Sequence, residues 1–385
     1  MLGWGRKDSW RSGVRRSLGG NAASGSLPGR VVIEAIGLPG LAGAVGGATL
    51  VLSLAGVWLS LLLSRKKNLL AIPNERSSHV VPTPSGGGAG MALAVVLTLP
   101  LAAWLGQAAQ LAWFMVTVTL SSVVGFWDDR RPLGVRTRLI VLVVASVPVV
   151  AVGYADMIRL PFLEPFSLGF LALPLSLLWL VGFANVFNFM DGIDGIAGLT
   201  AGISGLGFAI AGLLAQDPET ALLGAAAAGA AFGFLPWNFP RAKIFMGDAG
   251  SLPLGLLLAG TALVAARQRE EGAAVVLSFP ACVLILGPFL FDAILTLIRR
   301  GLHGKRIGEA HREHLYQRLS RQWGSHTPVS LLYGSFAILT VGQALLYDRI
   351  GELPRLLSLS LSLVGMSLFA QVVLARDRRA TTPPP

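Results

Sequence analysis

The sequence is short of charge. Asp, Glu, Lys and Arg make up 13% of its 385 residues, about half the share in a soluble protein. Cysteine is almost absent. The single Cys282 excludes an internal disulfide and a multi-thiolate metal site, and its place in an apolar run reads as packing. Acids are the scarcer charge, 20 against 31 Lys and Arg, for a net charge of +11. In a chain that is 53% hydrophobic, this excess does not call for nucleic acid. It reads as basic loops lying beside anionic lipid on the cytoplasmic side of a membrane.

What the sequence has in quantity is long apolar runs. They fall near 41–63, 88–106, 110–127, 137–154, 168–187, 195–214, 220–236, 250–266, 274–298, 329–347 and 355–374. Each is close to the ~20 residues a membrane-spanning helix needs. The expected fold is therefore all-α, a polytopic membrane protein of about eleven transmembrane helices. Residues 1–36, with six Lys and Arg among Gly and Ser, read as a basic, disordered leader. Residues 37–375 read as one polytopic domain and 376–385 as a short cytoplasmic tail.

The loops alternate in charge. Those after spans one, three, five, seven, nine and eleven hold Arg65, Lys66, Lys67, Arg130, Arg131, Arg136, Arg138, Arg241, Lys243 and the cluster from Arg299 to Arg321. The other set holds Arg159, Arg267, Arg269, Arg349 and Arg355. The positive-inside rule places the first set in the cytoplasm.

The unusual polar residues all fall in that first set. The stretch Asn185-Val-Phe-Asn188-Phe-Met-Asp191-Gly-Ile-Asp194-Gly crowds two carboxamides and two carboxylates at a membrane edge, where ionisable groups are costly and mark function. One Asp there could simply cap the next helix; the paired residues go beyond that need. Asp128-Asp129 ends span three, either as a solvated helix end or as a pair for a hard cation that prefers oxygen ligands. Asp248, in Met-Gly-Asp-Ala-Gly-Ser, is the best single candidate for a magnesium ligand, and the alternative is again a helix cap. The start of span eight suits a phosphate. Arg76 and His79 precede the run Gly86-Gly87-Gly88, a second candidate anion cradle. His311 and His314 are three apart and would share a helical face, either contacting phosphate or decorating an amphipathic cytoplasmic helix. Phe245 is placed to stack on a base, or to pack at the interface. Carboxylates beside phosphate-binding groups imply Mg²⁺, and the set suits phosphoryl transfer.

At this point the chain resembles the polyprenyl-phosphate N-acetylhexosamine-1-phosphate transferases, which include the phospho-MurNAc-pentapeptide translocase and the enzymes that start O-antigen synthesis. The motifs are PNxRxxH…PxxGG (73–88), the Asp pair 128–129, NxxNxxDGxDGxAG (185–198) and WNxPxAKxFMGDxGS (237–251). The resemblance implies about eleven helices in the bacterial inner membrane with a cytoplasmic active site. It implies Mg²⁺, with Mn²⁺ as an alternative, a UDP-N-acetylhexosamine donor, undecaprenyl phosphate as acceptor, and UMP as product. Membrane lipids are then partners; a homo-oligomer stays open. It assigns Asp248 to the metal, the pairs Asp128–Asp129 and Asp191–Asp194 to catalysis, and Asn188, Asn238 and Phe245 to the uridine pocket; Arg76, His79, Asn185, Lys243, His311 and His314 are further candidate substrate-binding residues. The sequence departs from the pentapeptide translocase where Arg131-Pro132 replaces a lysine and His311-Arg-Glu-His314 replaces a histidine triplet. That favours the O-antigen-initiating branch over transfer of phospho-MurNAc-pentapeptide. A proton-coupled transporter is the alternative of a different class. Its site belongs near the bilayer midplane, commonly between inverted repeats, and the sequence shows acids at one membrane edge and no repeat.

Overall fold

The structure is a computed structural model that describes residues 28–73, 81–106, 108–267, 276–306 and 311–381. The first helix, α1 (Pro28–Lys66), breaks its regular geometry at Gly37. A two-residue ladder pairs β1 (Leu70–Ala71) with β2 (Thr83–Pro84). Helices α2 (Gly87–Leu105), α3 (Leu111–Asp128) and α4 (Val135–Val152) follow. A second ladder, β3 (Met157–Ile158) with β4 (Phe166–Ser167), precedes α5 (Ala172–Met190). Next come α6 (Ile196–Leu214), α7 (Pro218–Asn238) and α8 (Asp248–Ala266). Helices α9 (Phe279–Ile285) and α10 (Gly287–Leu302) meet at 86°. Then come the short α11 (Leu315–Trp323), α12 (Thr327–Tyr347) and α13 (Glu352–Thr381).

Ten of these helices are long and apolar enough to cross a bilayer, and eleven if the bent pair is one span. The expected number holds, and the protein is an all-α polytopic membrane protein. The expected span 274–298 is not straight. Gly287-Pro288 stands at its middle, and a proline ring excludes the carbonyl of the preceding turn; the helix breaks at Leu286 and α10 leaves at a steep angle. Helix α1 begins at Pro28, inside the stretch expected as leader, and α13 reaches Thr381, inside the expected tail.

Helix α8 is the axis of the bundle. Every residue from Ala249 to Ala266 is buried, whereas α1, α4 and α13 keep most of their apolar surface outward, as a lipid-facing helix does. Close packing rests on small residues that let helix backbones approach. A Cβ at Gly88 of α2 would overlap the Gly250 backbone of α8.

Contacts sort the helix ends into two sets. At one end, Gly87 and Gly88 donate to Phe245 O and Met246 O, both 2.9 Å. Asp129 meets the start of α8, Asn188 meets Asp248, and Arg318 pairs with Asp377. At the other end, Arg267 pairs with Glu219 and Ser278 N donates to Asp348 Oδ2 at 2.7 Å. All five acids of the sequence motifs lie at the first end.

Candidate active site

The core of the site is one guanidinium between carboxylates from two helices. Arg138, in the first turn of α4, donates through Nε to Asp128 Oδ2 at 2.7 Å and also pairs with Asp248 of α8. Asp128 Oδ1 accepts from the Leu133 backbone N–H at 2.6 Å. Asp248 Oδ1 accepts from Asn188 Nδ2 at 2.7 Å, and the same amide nitrogen donates to Ser251 Oγ at 2.8 Å. Segments 60 and 110 residues apart from Asp248 thus close on it.

Asp129 has a different task. Its Oδ1 accepts from Asp248 N at 2.8 Å and its Oδ2 from Ala249 N at 3.2 Å. It caps α8 from another helix, satisfying donors that a helix N-terminus leaves open. Burial nevertheless raises its carboxyl above the ordinary value, with those two hydrogen bonds pulling it down and Asp128 adding to the rise. Two sequence expectations are corrected here. The backbone N–H groups at the start of α8 are not free for phosphate: Asp129 takes two, and Gly250 and Ser251 donate to Gly247 O. Nor are Gly87 and Gly88 an anion cradle, because both amides hold the Phe245–Met246 segment. In an apolar bundle, backbone donors must find protein partners, and these did.

Asp191 follows the last residue of α5 and its carboxylate has no hydrogen-bond partner among the described residues. Burial raises it well above the ordinary value, and then the negative charges of Asp248, Asp129 and Asp194 raise it further. Those neighbours place it electrostatically with the Asp129–Asp248 pair. Asp194 sits apart on the same loop: its Oδ2 lies 3.3 Å from His326 Nδ1, and its carbonyl accepts from Ser330 Oγ at 2.6 Å.

Other expected residues have structural partners. Asn185 Nδ2 donates to Val181 O at 2.8 Å within α5. Asn238 is buried, its Oδ1 accepting from Gly195 N at 2.7 Å and its Nδ2 donating to Ile244 O at 3.0 Å. It ties the Asp191–Asp194 loop to the one before Asp248. Lys243 Nζ lies 5.5 Å from the Trp237 ring centroid, and Phe245 N donates to Pro84 O at 2.8 Å. His311 and His314 are not on a shared helical face. His314 is the N-cap of α11, and His311 precedes the helix with its ring stacked 4.8 Å from that of His314. Burial, then the neighbouring His314 and Arg300, lowers His311 to about 4. Arg76 and His79 lie outside the described residues.

Sequence reasoning missed Arg138 as a site residue, counting it only among the basic loops. Its signal was a cation opening an apolar span ten residues after an acid pair. It also missed His326, which no motif marks.

A groove of about 990 Å³ runs from this site along the outside of α4, α5 and α10, at the top of the range for ligand pockets. Asp128, Leu133 and Arg138 line its acidic end, and Ala155, Ile158 and Leu168 its far end. Apart from Asp128, Arg138, Ser176 and Asn185, its lining is apolar.

Fold and site define a class: an integral-membrane protein with an acidic, arginine-bridged site at one end of the bundle and an apolar groove leading into it. Glycosyl transferase family 4 matches residues 88–266. The chain is 31% identical to the probable undecaprenyl-phosphate N-acetylglucosaminyl 1-phosphate transferase of Bacillus subtilis, over 66% of this chain and 70% of that one. It is 31% identical to the decaprenyl-phosphate N-acetylglucosaminephosphotransferase of Mycobacterium leprae, over 70% and 75%. It is 34% identical to the phospho-N-acetylmuramoyl-pentapeptide-transferase of a Synechococcus strain, over 67% and 77%. The chain belongs to the family 4 polyprenyl-phosphate hexosamine-1-phosphate transferases.

Proposed function

We propose that the protein transfers an N-acetylhexosamine-1-phosphate from a UDP-sugar to undecaprenyl phosphate at the cytoplasmic face of the bacterial inner membrane. The observation that carries this is the junction of site and groove: Asp128 and Arg138 belong to both. A lipid whose apolar tail fills the groove has its phosphate at the guanidinium.

The acceptor phosphate oxygen attacks the β-phosphorus of the UDP-sugar. The bond from the β-phosphorus to the bridging oxygen breaks, and that oxygen leaves with UMP. The product is a polyprenyl diphosphate carrying the sugar. No general base is required, because the second pKa of a phosphate monoester is about 6. Arg138 draws the acceptor to the site and stabilises charge building on the transferred phosphoryl group. Asn188 and Ser251 fix Asp248, and Asn238 holds the two loops in register.

The donor set fits a hard dication. Asp191 is a half-buried carboxylate without a hydrogen-bond partner among the described residues, pressed by the charges of Asp248 and Asp129. Mg²⁺ is commonly held by one or two carboxylates plus substrate phosphates. Asp248, with Asp191, would hold Mg²⁺, which when bound neutralises diphosphate charge.

The His311–His314 segment abuts the site through Phe189, whose ring centre is 6.4 Å from that of His314, and is our candidate reader of the sugar. Its departure from a histidine triplet favours a non-peptide sugar, such as N-acetylglucosamine or a 6-deoxy relative, as used to start O-antigen chains. Purified protein given undecaprenyl phosphate, Mg²⁺ and a panel of UDP-N-acetylhexosamines tests this. We expect one donor to yield a butanol-soluble sugar lipid. Formation of that lipid only from UDP-MurNAc-pentapeptide would overturn the choice of sugar, and formation from no donor would overturn the activity.

A further inference from the structure

Helix α10 has two working faces. Leu290, Ile294 and Leu297 line the groove. Asp292, Thr296 and Arg300 recur every four residues on the opposite, buried face, as helical geometry requires. The two ends of that stripe, Asp292 and Arg300, hold the His311–His314 segment and the residues beside it. Arg300 Nη2 donates to Arg306 O at 2.7 Å and Nη1 to Glu313 Oε1 at 2.6 Å. Asp292 Oδ1 accepts from Leu315 N at 2.8 Å, and its Oδ2 accepts from Tyr316 N at 3.0 Å and from the Tyr333 hydroxyl at 2.5 Å. His314 Nδ1 lies 3.3 Å from Asp292 Oδ1. Tyr316 then reaches the last turn of α5, donating to Phe189 O at 2.9 Å, and a Cβ at Gly192 in the loop that follows would overlap its hydroxyl.

We propose that α10 couples the two substrates, so that a long polyprenyl tail in the groove sets the His311–His314 segment for the donor sugar. This rests on the proposed function. Hydrogen bonds to ionised groups are about twice as strong as neutral ones, so Asp292 and Arg300 make α10 and the segment one body. The 86° break at Leu286 turns α10 away from the axis of α9, and the Tyr333 hydroxyl of α12 holds Asp292 from the other side. Anything that seats α10 against a filled groove also seats His311 and His314. Asp292 and Arg300 are positioning residues: they hold the segment and touch no substrate.

The test measures binding of whichever UDP-sugar supports turnover, in the presence of undecaprenol or of farnesol. Both alcohols lack the phosphate that reacts, and only the first is long enough to fill the groove. Coupling between sites is typically about 5–150-fold. We expect undecaprenol, but not farnesol, to tighten the UDP-sugar at least about fivefold. We expect Arg300→Gln to bring that ratio to about one. A merely structural role would lower the thermal midpoint and leave the ratio intact. Equal wild-type affinities with the two alcohols overturn the coupling whether or not the variant folds, and so does a variant that keeps the ratio. Absence of turnover with every donor would instead overturn the function, and these outcomes are separate.

Discussion

The acids that the sequence marks as one group divide into distinct jobs. Asp129 caps α8. Losing an N-cap costs about 0.5–2 kcal/mol, and Asn caps as well as Asp; Asp129→Ala should lower the thermal midpoint and Asp129→Asn should restore most of it. Equal loss in both variants would show that charge, not capping, is what Asp129 supplies. If Asp248 holds the proposed metal, Asp248→Asn should fold but lose at least about a hundredfold in turnover, since a metal-bound charge contributes several kcal/mol to such transition states; full divalent-dependent turnover would remove Asp248 from the proposed metal site. His311 carries a sign-definite pH effect. Its value falls from an ordinary 6.5 to about 4, so between these pH values the unfolded chain binds the proton first. Stability should therefore fall as pH drops from 6.5 towards 4, and His311→Gln should flatten that slope in thermal melts of detergent-solubilised protein. At this scale the sequence disclosed residue types better than roles. Asp191 and Asp248 stand out because acids at a membrane edge are costly. The glycines at 87 and 88 looked like an anion cradle but are claimed by backbone partners, and Asn185 and Asn238 also make backbone hydrogen bonds; hydropathy does not show which polar groups the bundle must satisfy internally.

Among the elements, the spans were the most legible, because a bilayer demands long apolar runs. Only tertiary contacts show the angle of the break that Gly287-Pro288 puts in the ninth span, or the direction in which α10 leaves. Helix α11 is nine residues long with Leu315, Tyr316 and Leu319 buried, too short to register as a span. Its N-terminus is capped by His314 and held by Asp292 from 22 residues away, a pairing that no local pattern encodes. The crossing of α2 with α8 gives a test of packing. Gly88 has no room for a side chain against Gly250, and overpacking typically costs about 1–3 kcal/mol. Gly88→Val should lower the thermal midpoint and turnover together, whereas the same change at Gly43, where a Cβ meets nothing within 4 Å, should leave both unchanged.

Across the whole molecule, the chain brings the ends of α3, α5 and α8 and the start of α4 to one end of the bundle and opens a lateral groove there. The sequence disclosed the common side through its alternating basic loops, but not the groove, which exists only once α4, α5 and the tilted α10 enclose it. In the proposed reaction a lipid from the bilayer and a nucleotide sugar from water meet at a shared phosphoryl centre. What moves between them is then a sugar together with its phosphate, not a sugar alone. The most direct test is to label the β-phosphate of the donor UDP-sugar and follow it through one turnover with undecaprenyl phosphate. The account predicts that the label enters the butanol-soluble lipid and that unlabelled UMP appears in equal amount. Labelled UDP left in the aqueous phase, with the sugar alone on the lipid, would contradict it.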